Sequence, residues 1–274
     1  MNYIKDTSSK IITVEILKTL KQQQEKICCI TAYDALFAKI FDDAGIDLIL
    51  VGDSLANVFQ GKETTLSVTL AEIIYHTKAV KSTVRRSFVV ADMPFMTYQV
   101  NSEKAVRNAG KILKETGCNA VKIEGCTKKI IEAVENMNEI GIPVMGHLGL
   151  TPQSINKFGN YKTRGTEKIE AQKILDDAHS LEKAGVFAIV LEKIPSHLAK
   201  EITENISVPT IGIGAGKFCD GQILVYSDML GMNIDFNPRF VRKYADLYNT
   251  VKEVVTNYSN DIKKSDFPNE NESY

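Results

Sequence analysis

Short apolar runs rich in Ile and Val alternate along the chain with longer segments whose apolar residues recur at helical spacing. The runs predict strands over 27–31, 48–52, 88–91, 120–123, 143–146, 187–191 and 210–213, with a weaker eighth over 222–226. Between them the spacing predicts helices over 35–44, ending at Gly45, and over 69–82. Two more are predicted over 102–116, opening with Ser102 as cap and ending at Gly117, and over 170–184, ending at Gly185. Strand and helix in alternation mean parallel βαβ units, and eight strands favour a closed (β/α)8 TIM-type barrel of class α/β over an open doubly wound sheet, the competing architecture. Two segments lie outside the rhythm. Residues 150–166 hold Pro, Gly, Asn and Lys without periodicity, as a lid or binding loop does, and the polar tail from about 259 is expected to fray.

The chain has 274 residues, 44% hydrophobic and 24% charged, which suits one large core, and no linker-like stretch divides it. A single barrel domain over 1–274 is therefore expected. A net charge of -1 offers no basic field for nucleic acid or an anionic membrane, so small molecules are the expected partners. The longest apolar runs, 46–51 and 186–191, are far shorter than the roughly 20 residues that cross a bilayer. With no secretory pattern at the start of the sequence, the cytoplasm is the expected location. Cys28, Cys29, Cys118, Cys126 and Cys219 form no paired Cys-x-x-Cys clusters and read as reduced thiols.

Candidate chemistry follows from where polar residues fall. Asp34, Asp53 with Ser54, Asp92, Glu124, His147 and Glu192 each stand at or just beyond the carboxyl end of an apolar strand, the face on which barrels of this kind build their active sites. One such carboxylate could be a helix cap; several together repel unless a proton or cation neutralises them. Oxygen ligands without cysteine or a close histidine pair favour Mg2+ at Asp53, Asp92 and Glu124, against helix caps or surface ion pairs as the plainer reading. Lys122 and Glu124 share one face of a strand, so Lys122 could hold a substrate carboxylate or balance the acids; a structural ion pair and a Schiff base are the other readings. Glu192 closes an apolar run, surroundings that suit a general base at neutral pH, unless it pairs with Lys193 or Lys122. His147 between glycines allows close approach of a substrate, or is structural, and Gly212 and Gly214 after strand seven could let a bulky cofactor lie against the backbone.

The segments Thr31-Ala32-Tyr33-Asp34, Val51-Gly52-Asp53-Ser54-Leu55, Ala91-Asp92-Met93-Pro94-Phe95-Met96, Val121-Lys122-Ile123-Glu124-Gly125 and Gly146-His147-Leu148-Gly149-Leu150-Thr151-Pro152-Gln153 stand in one order along the chain. Leu191-Glu192, Gly212 to Gly216 and Asp220-Gly221-Gln222 follow them. Together they resemble the motifs of the ketopantoate hydroxymethyltransferase family. The resemblance implies a barrel in which Asp53, Asp92 and Glu124 surround Mg2+, Glu124 through water, while Asp53, Ser54, Asp92 and Lys122 contact an oxo acid and Glu192 accepts its proton. It further implies transfer of a one-carbon unit from 5,10-methylenetetrahydrofolate to 3-methyl-2-oxobutanoate, giving 2-dehydropantoate for pantothenate and coenzyme A biosynthesis, by a homo-oligomer, commonly a decamer. Ala56, Ser227 and the tail Glu270 to Tyr274 depart from the family pattern without removing a proposed ligand. Lys157, Lys162 and Arg164 could attract the acidic tail of folate. The nearest rival is a lyase or mutase barrel of the phosphoenolpyruvate mutase and isocitrate lyase type, for which Cys126 is the thiol to examine; the other is a barrel that binds a metal or metabolite without turnover.

Overall fold

The computed structural model describes residues 10–274. Eight parallel strands, β1 (Ile27–Thr31), β2 (Leu48–Val51), β3 (Phe88–Asp92), β4 (Ala120–Lys122), β5 (Val144–Gly149), β6 (Ala188–Glu192), β7 (Thr210–Ile213) and β8 (Gly221–Leu224), are hydrogen-bonded in sequence order. The pairing of β1 with β8, Ile27 opposite Gly221, closes the ring and excludes the open sheet. The helices are α1 (Val14–Gln22), α2 (Ala35–Asp43), α3 (Leu55–Val58), α4 (Leu70–Thr83), α5 (Ser102–Thr116), α6 (Lys128–Glu139), α7 (Ile155–Phe158), α8 (Lys168–Ala184), α9 (Ser196–Asn205), α10 (Tyr226–Met229) and α11 (Leu247–Lys263). The barrel lies in a compact unit ending at Val225, and Tyr226–Tyr274 forms a second compact unit, where the sequence suggests one domain over the whole chain.

Period-two alternation decides what fills the barrel. Ile27 and Cys29, Leu48 and Leu50, Phe88 and Val90, Ala120, Met145, Ala188 and Val190, Ile211 and Ile223 form one buried cluster inside the ring. The intervening Ile49, Val89, Val121 and Ile189, also fully buried, face the helices. Phe88 and Phe187 meet edge to face with centroids 5.3 Å apart. At the amino-terminal mouth Ile12 and Leu17 join the same cluster, and the Ile12 N–H donates to the Arg86 carbonyl, so Ile12 and α1 stopper that end of the barrel.

Local chemistry explains where elements begin and end. Thr69 and Glu72 form a reciprocal capping box on α4, and α5 and α8 stop at Gly117 and Gly185, both in the left-handed region. Asn101, not Ser102, caps α5: its side chain accepts the Lys104 N–H, and Ser102 is the first helical residue. Strand β5 continues to Gly149 because His147, Leu148 and Gly149 all pair with β6, and β8 ends before Tyr226, which opens α10. The aperiodic stretch after β5 holds a one-turn 3-10 helix, Pro152–Ser154, and α7, with Gln153 and Ile155 buried. The polar tail expected from about 259 begins inside α11, which runs to Lys263. Among the described residues no helix is long and apolar enough to cross a membrane.

Candidate active site

Following the inward face of each strand toward its carboxyl end, the apolar residues give way to charge. Val90 is succeeded by Asp92, Ala120 by Lys122, Met145 by His147 and Val190 by Glu192, each two residues on and therefore on the same face. The strand register sets these ends side by side: Asp92 lies opposite Lys122, and Glu192 opposite Gly149. Asp53 arrives from the turn after β2 and Glu124 from just past β4. Asp53, Asp92, Lys122, Glu124 and His147 are all buried, whereas the Glu192 side chain keeps 20% of its surface exposed at the rim.

Lys122 is the electrostatic hub. Its Nζ lies 2.8 Å from Asp92 Oδ1 and 3.7 Å from Glu124 Oε1. Burial works against its charge, but the carboxylates of Asp92, Glu124 and Asp53 outweigh that and hold the ammonium above the ordinary lysine range. A lysine kept protonated is a poor imine-forming nucleophile, which favours the ion-pairing readings of Lys122 over the Schiff base. The structural ion pair is present, and it sits inside the acid cluster rather than apart from it.

One cation does not balance this much negative charge. Burial, reinforced by the charges of Asp92 and Glu124, pushes the Asp53 carboxyl well above its usual range, and burial raises Asp92 as well despite Lys122 beside it. Burial also opposes charge on Glu124, yet contacts with His147 and Lys122 and the Gln153 N–H bring it below the usual range. Asp92 Oδ1 and Glu124 Oε1 have no aligned hydrogen-bond donor and meet Lys122 and His147 only as ion-pair neighbours. These are oxygens suited to a hard cation. Among the described residues no three His, Cys, Asp or Glu side chains form a cage for an ion by themselves. The donor set thus fits an ion that takes one or two carboxylates from the protein and its other ligands from water or substrate, as Mg2+ commonly does.

His147 joins the buried cluster to the rim. Its Nδ1 lies 3.2 Å from Glu124 Oε1 and its Nε2 lies 3.3 Å from Glu192 Oε2. Burial and the neighbouring Lys122 oppose a charged ring, but the two carboxylates outweigh them and push the imidazole up to about 9. The contact that Glu192 makes is therefore with His147; Lys193, the pairing partner weighed from sequence, reaches instead for the Tyr161 carbonyl. Ser54 Oγ shares a 2.7 Å hydrogen bond with the Tyr33 hydroxyl. A side chain on Gly52 would crowd this hydroxyl, because a Cβ there would lie 2.9 Å from Ser54 Oγ, with Asp92 Oδ2 at 3.5 Å.

Other strand-end candidates take different parts. Asp34 is a helix cap, accepting the N–H groups of Leu36 and Phe37 at the start of α2. A Cβ on Gly212 would meet Cys219 Sγ at 2.9 Å and the Gln222 amide at 3.1 Å, so packing in the barrel wall accounts for that glycine; Gly214 lies on the turn beyond β7 at φ +64°. Arg164 is ion-paired with Glu170 and stacked 4.2 Å from the Phe158 ring centroid, which commits its charge locally. All five cysteines are free thiols. Burial, with Asp177 adding to it, pushes the Cys126 thiol up to about 12, the opposite of what a reactive cysteine needs.

Two residues without an assigned role in the sequence reading complete the site. Gln153 Nε2 donates to Asp53 Oδ2 and to the Met93 carbonyl, each at 3.0 Å, and the Gln153 backbone N–H donates to Glu124 Oε2 at 3.0 Å. The Tyr98 hydroxyl donates to Gln153 Oε1 at 2.8 Å and accepts the Glu124 N–H at 3.0 Å. The available signal was an amide directly after Thr151-Pro152 at a strand end, a polar residue where the turn itself does not require one.

A family model described as ketopantoate hydroxymethyltransferase matches residues 11–270. The chain is 55% identical to the 3-methyl-2-oxobutanoate hydroxymethyltransferase of Chlorobium phaeobacteroides (strain BS1), over 98% of this chain and 99% of the relative. It is 53% identical to the enzyme of that name from Flavobacterium johnsoniae, over 97% of each. Among solved structures, phosphonopyruvate hydrolase in complex with oxalate and Mg2+ superposes with a TM-score of 0.62 at 11% identity, covering 96% of this chain and 93% of that one. The 2,3-dimethylmalate lyase of the PEP mutase/isocitrate lyase superfamily gives 0.57 at 15% identity, covering 93% and 100%. At such identities the two structures share the fold with this chain.

Proposed function

The chain belongs to the ketopantoate hydroxymethyltransferase family, and from that premise we propose how its barrel face carries out hydroxymethyl transfer to 3-methyl-2-oxobutanoate, the reaction its relatives are named for. The observation that supports the reading most is the change from apolar to charged residues along one inward face of β3 to β6, which brings Asp92, Lys122, Glu124, His147 and Glu192 together. Asp53 and Asp92 would hold a divalent cation, Mg2+ by the chemistry of their oxygens, with Glu124 behind them through water. When bound, the cation supplies Lewis acidity that makes the proton beside the ketone of a 2-oxo acid easier to remove.

The protein's own groups do the rest. Lys122, fixed as a cation, attracts the substrate carboxylate, and Ser54 offers a hydroxyl at the same rim. Glu192, the partly exposed carboxylate, takes the proton from C3. His147 holds that carboxylate from behind, so the base stands on the barrel rather than swinging in solvent. The carbon so activated forms a bond to the methylene carbon of 5,10-methylenetetrahydrofolate as that carbon's bond to N10 opens; water then replaces N5, supplying the hydroxyl of 2-dehydropantoate and releasing tetrahydrofolate, with Gly214 on the turn beyond β7 as the candidate contact for the donor. Holding both reactants in register supplies the remaining acceleration.

The test is proton NMR of 3-methyl-2-oxobutanoate in D2O with the full chain and Mg2+. Loss of the C3 proton signal, followed by 2-dehydropantoate on adding methylenetetrahydrofolate, is the expected result. Absence of exchange with folded protein would remove Glu192 as base. We also propose a cytoplasmic homo-oligomer, a decamer as the family resemblance implies. Its support is α11, where Val251, Val254, Val255, Tyr258 and Ile262 follow helical spacing and all remain exposed. Light scattering on the eluting protein gives the number.

A further inference from the structure

We propose that Gln153, locked by Tyr98, is a positioning residue that decides which oxygens of Asp53 and Glu124 are offered to the cation and the oxo acid. The inference rests on those carboxylates lining the binding site, as proposed above.

Gln153 is 5% exposed and its amide is used to capacity. The two N–H groups go to Asp53 Oδ2 and the Met93 carbonyl, and the oxygen accepts from the Tyr98 hydroxyl at 2.8 Å and the Gln99 amide at 2.9 Å. An amide has two donors and two acceptor lone pairs, so nothing is left over. Its orientation is equally fixed: turned over, it would set its oxygen against the Met93 carbonyl, which can only accept, and its NH2 against the Gln99 amide nitrogen.

The same residue grips a second acid through its main chain, whose N–H occupies Glu124 Oε2. One short turn after β5 therefore holds carboxylates delivered by β2 and β4. Asp92 is oriented in parallel fashion, its Oδ2 accepting the Asp53 N–H at 3.0 Å. In each of the three acids one oxygen is thus tied to an N–H. Asp92 Oδ1 and Glu124 Oε1 remain without an aligned donor. A neutral amide suits this task because a carboxylate at the same place would press another negative charge on Asp53. Tyr98, fully buried, closes the circuit by bridging Gln153 Oε1 and the Glu124 N–H.

The experiment titrates Mn2+ into the full-length protein and into Gln153→Met, Tyr98→Phe, the double variant and Asp92→Asn, reading free Mn2+ by electron paramagnetic resonance and thermal stability alongside. Loss of an outer-shell partner of this kind lowers metal affinity roughly 10- to 100-fold. Gln153→Met is expected to fall in that range and Tyr98→Phe to move the same way. The double variant should lose less than the sum of the two single losses, since the Tyr98–Gln153 bond is common to both, and any loss beyond Gln153→Met reports the second bond that Tyr98 takes from the Glu124 N–H. The KM for the oxo acid should rise with the metal constant. A residue that merely filled space would lower the melting temperature and leave Mn2+ affinity of the folded protein unchanged, and that result in both single variants overturns the proposal. Asp92→Asn separates the two levels: if it binds Mn2+ as the parent does, the reading of the acids as the metal site fails first and the proposal with it. Should Gln153→Met fail to fold, Tyr98→Phe, which deletes one buried oxygen and keeps the ring, decides the matter.

Discussion

The imidazole of His147 stands between two carboxylates, 3.2 Å from Glu124 Oε1 and 3.3 Å from Glu192 Oε2, so the buried acid cluster and the exposed rim carboxylate are held by one ring. The arrangement divides labour by depth. Asp92 and Glu124 are shut away with Lys122, where charge is strongly felt, whereas the Glu192 side chain keeps 20% of its surface open at the rim.

Glu192→Gln should therefore damage chemistry and spare binding. The amide keeps the size and can still contact His147, but it cannot accept a proton. C3 proton exchange is expected to slow by about 10²- to 10⁴-fold, the usual contribution of a placed base, with the affinity for the oxo acid changed only slightly. NMR exchange rates and equilibrium binding measured on one preparation check the split. Equal loss of both would remove Glu192 from the role of base.

Asp92→Asn should do the reverse. It removes the negative charge 2.8 Å from the Lys122 ammonium and turns an NH2 toward either Lys122 or the Asp53 N–H, both donors, so a substantial part of the roughly 3–5 kcal/mol that breaking a buried pair costs is expected. A fall in melting temperature, weaker divalent-cation binding and a raised KM for the oxo acid are expected together. Calorimetry with Mg2+ checks the binding component on the folded protein. Binding equal to that of the parent would exclude Asp92 as a ligand.

Cys126 should be chemically quiet. A thiol pushed up to about 12 and set against the Asp177 carbonyl at 3.5 Å carries almost no thiolate at neutral pH. Iodoacetamide at pH 7.5 is expected to leave activity intact, and Cys126→Ala to turn over like the parent. Rapid inactivation traced to Cys126 by peptide mass mapping would revive the lyase-type reading.

Much of this site was legible because two periodicities coincide in a barrel. Apolar runs marked the strands, and the polar residues at or past the end of each run marked the carboxyl end of the barrel, where the structure gathers Asp53, Asp92, Glu124, His147 and Glu192. That rule cannot tell a cap from a ligand. Asp34 obeys it as well as Asp53 does, yet its carboxylate is spent on the first N–H groups of α2. Nor does it see residues that act from loops. Gln153 and Tyr98 reach the acids across separations of 26 to 100 positions and each other across 55, relations that depend on the closed barrel and leave no local pattern. At Gly212 the glycine-rich motif suggested a ligand, and the structure adds a packing reason for the glycine, since a Cβ there would crowd Cys219 and Gln222.

Asp42 offers a test of the opposite mouth of the barrel. Its carboxylate ends α2 and accepts the N–H groups of Arg85, Arg86 and Ser87 and the Ser87 hydroxyl, tying that helix to the start of β3. Burial works against the charge, but these donors outweigh it and hold the carboxyl below its usual range. A group whose pKa is depressed in the folded state stabilises the fold fully above its unfolded value, about 4, and loses that contribution as pH falls through the lower folded value. Asp42→Asn keeps the shape, yet its amide nitrogen faces donors where an oxygen accepted before. Bonds to a charged group contribute about 1.5–3 kcal/mol each in isolation, and a net loss of about 2–3 kcal/mol is expected after rearrangement. Urea unfolding at pH 7 should show that loss, and the gap between parent and variant should narrow below about pH 4 as the parent's carboxylate takes up its proton. A gap that stayed constant down to pH 3 would mean that shape rather than charge holds α2 to β3.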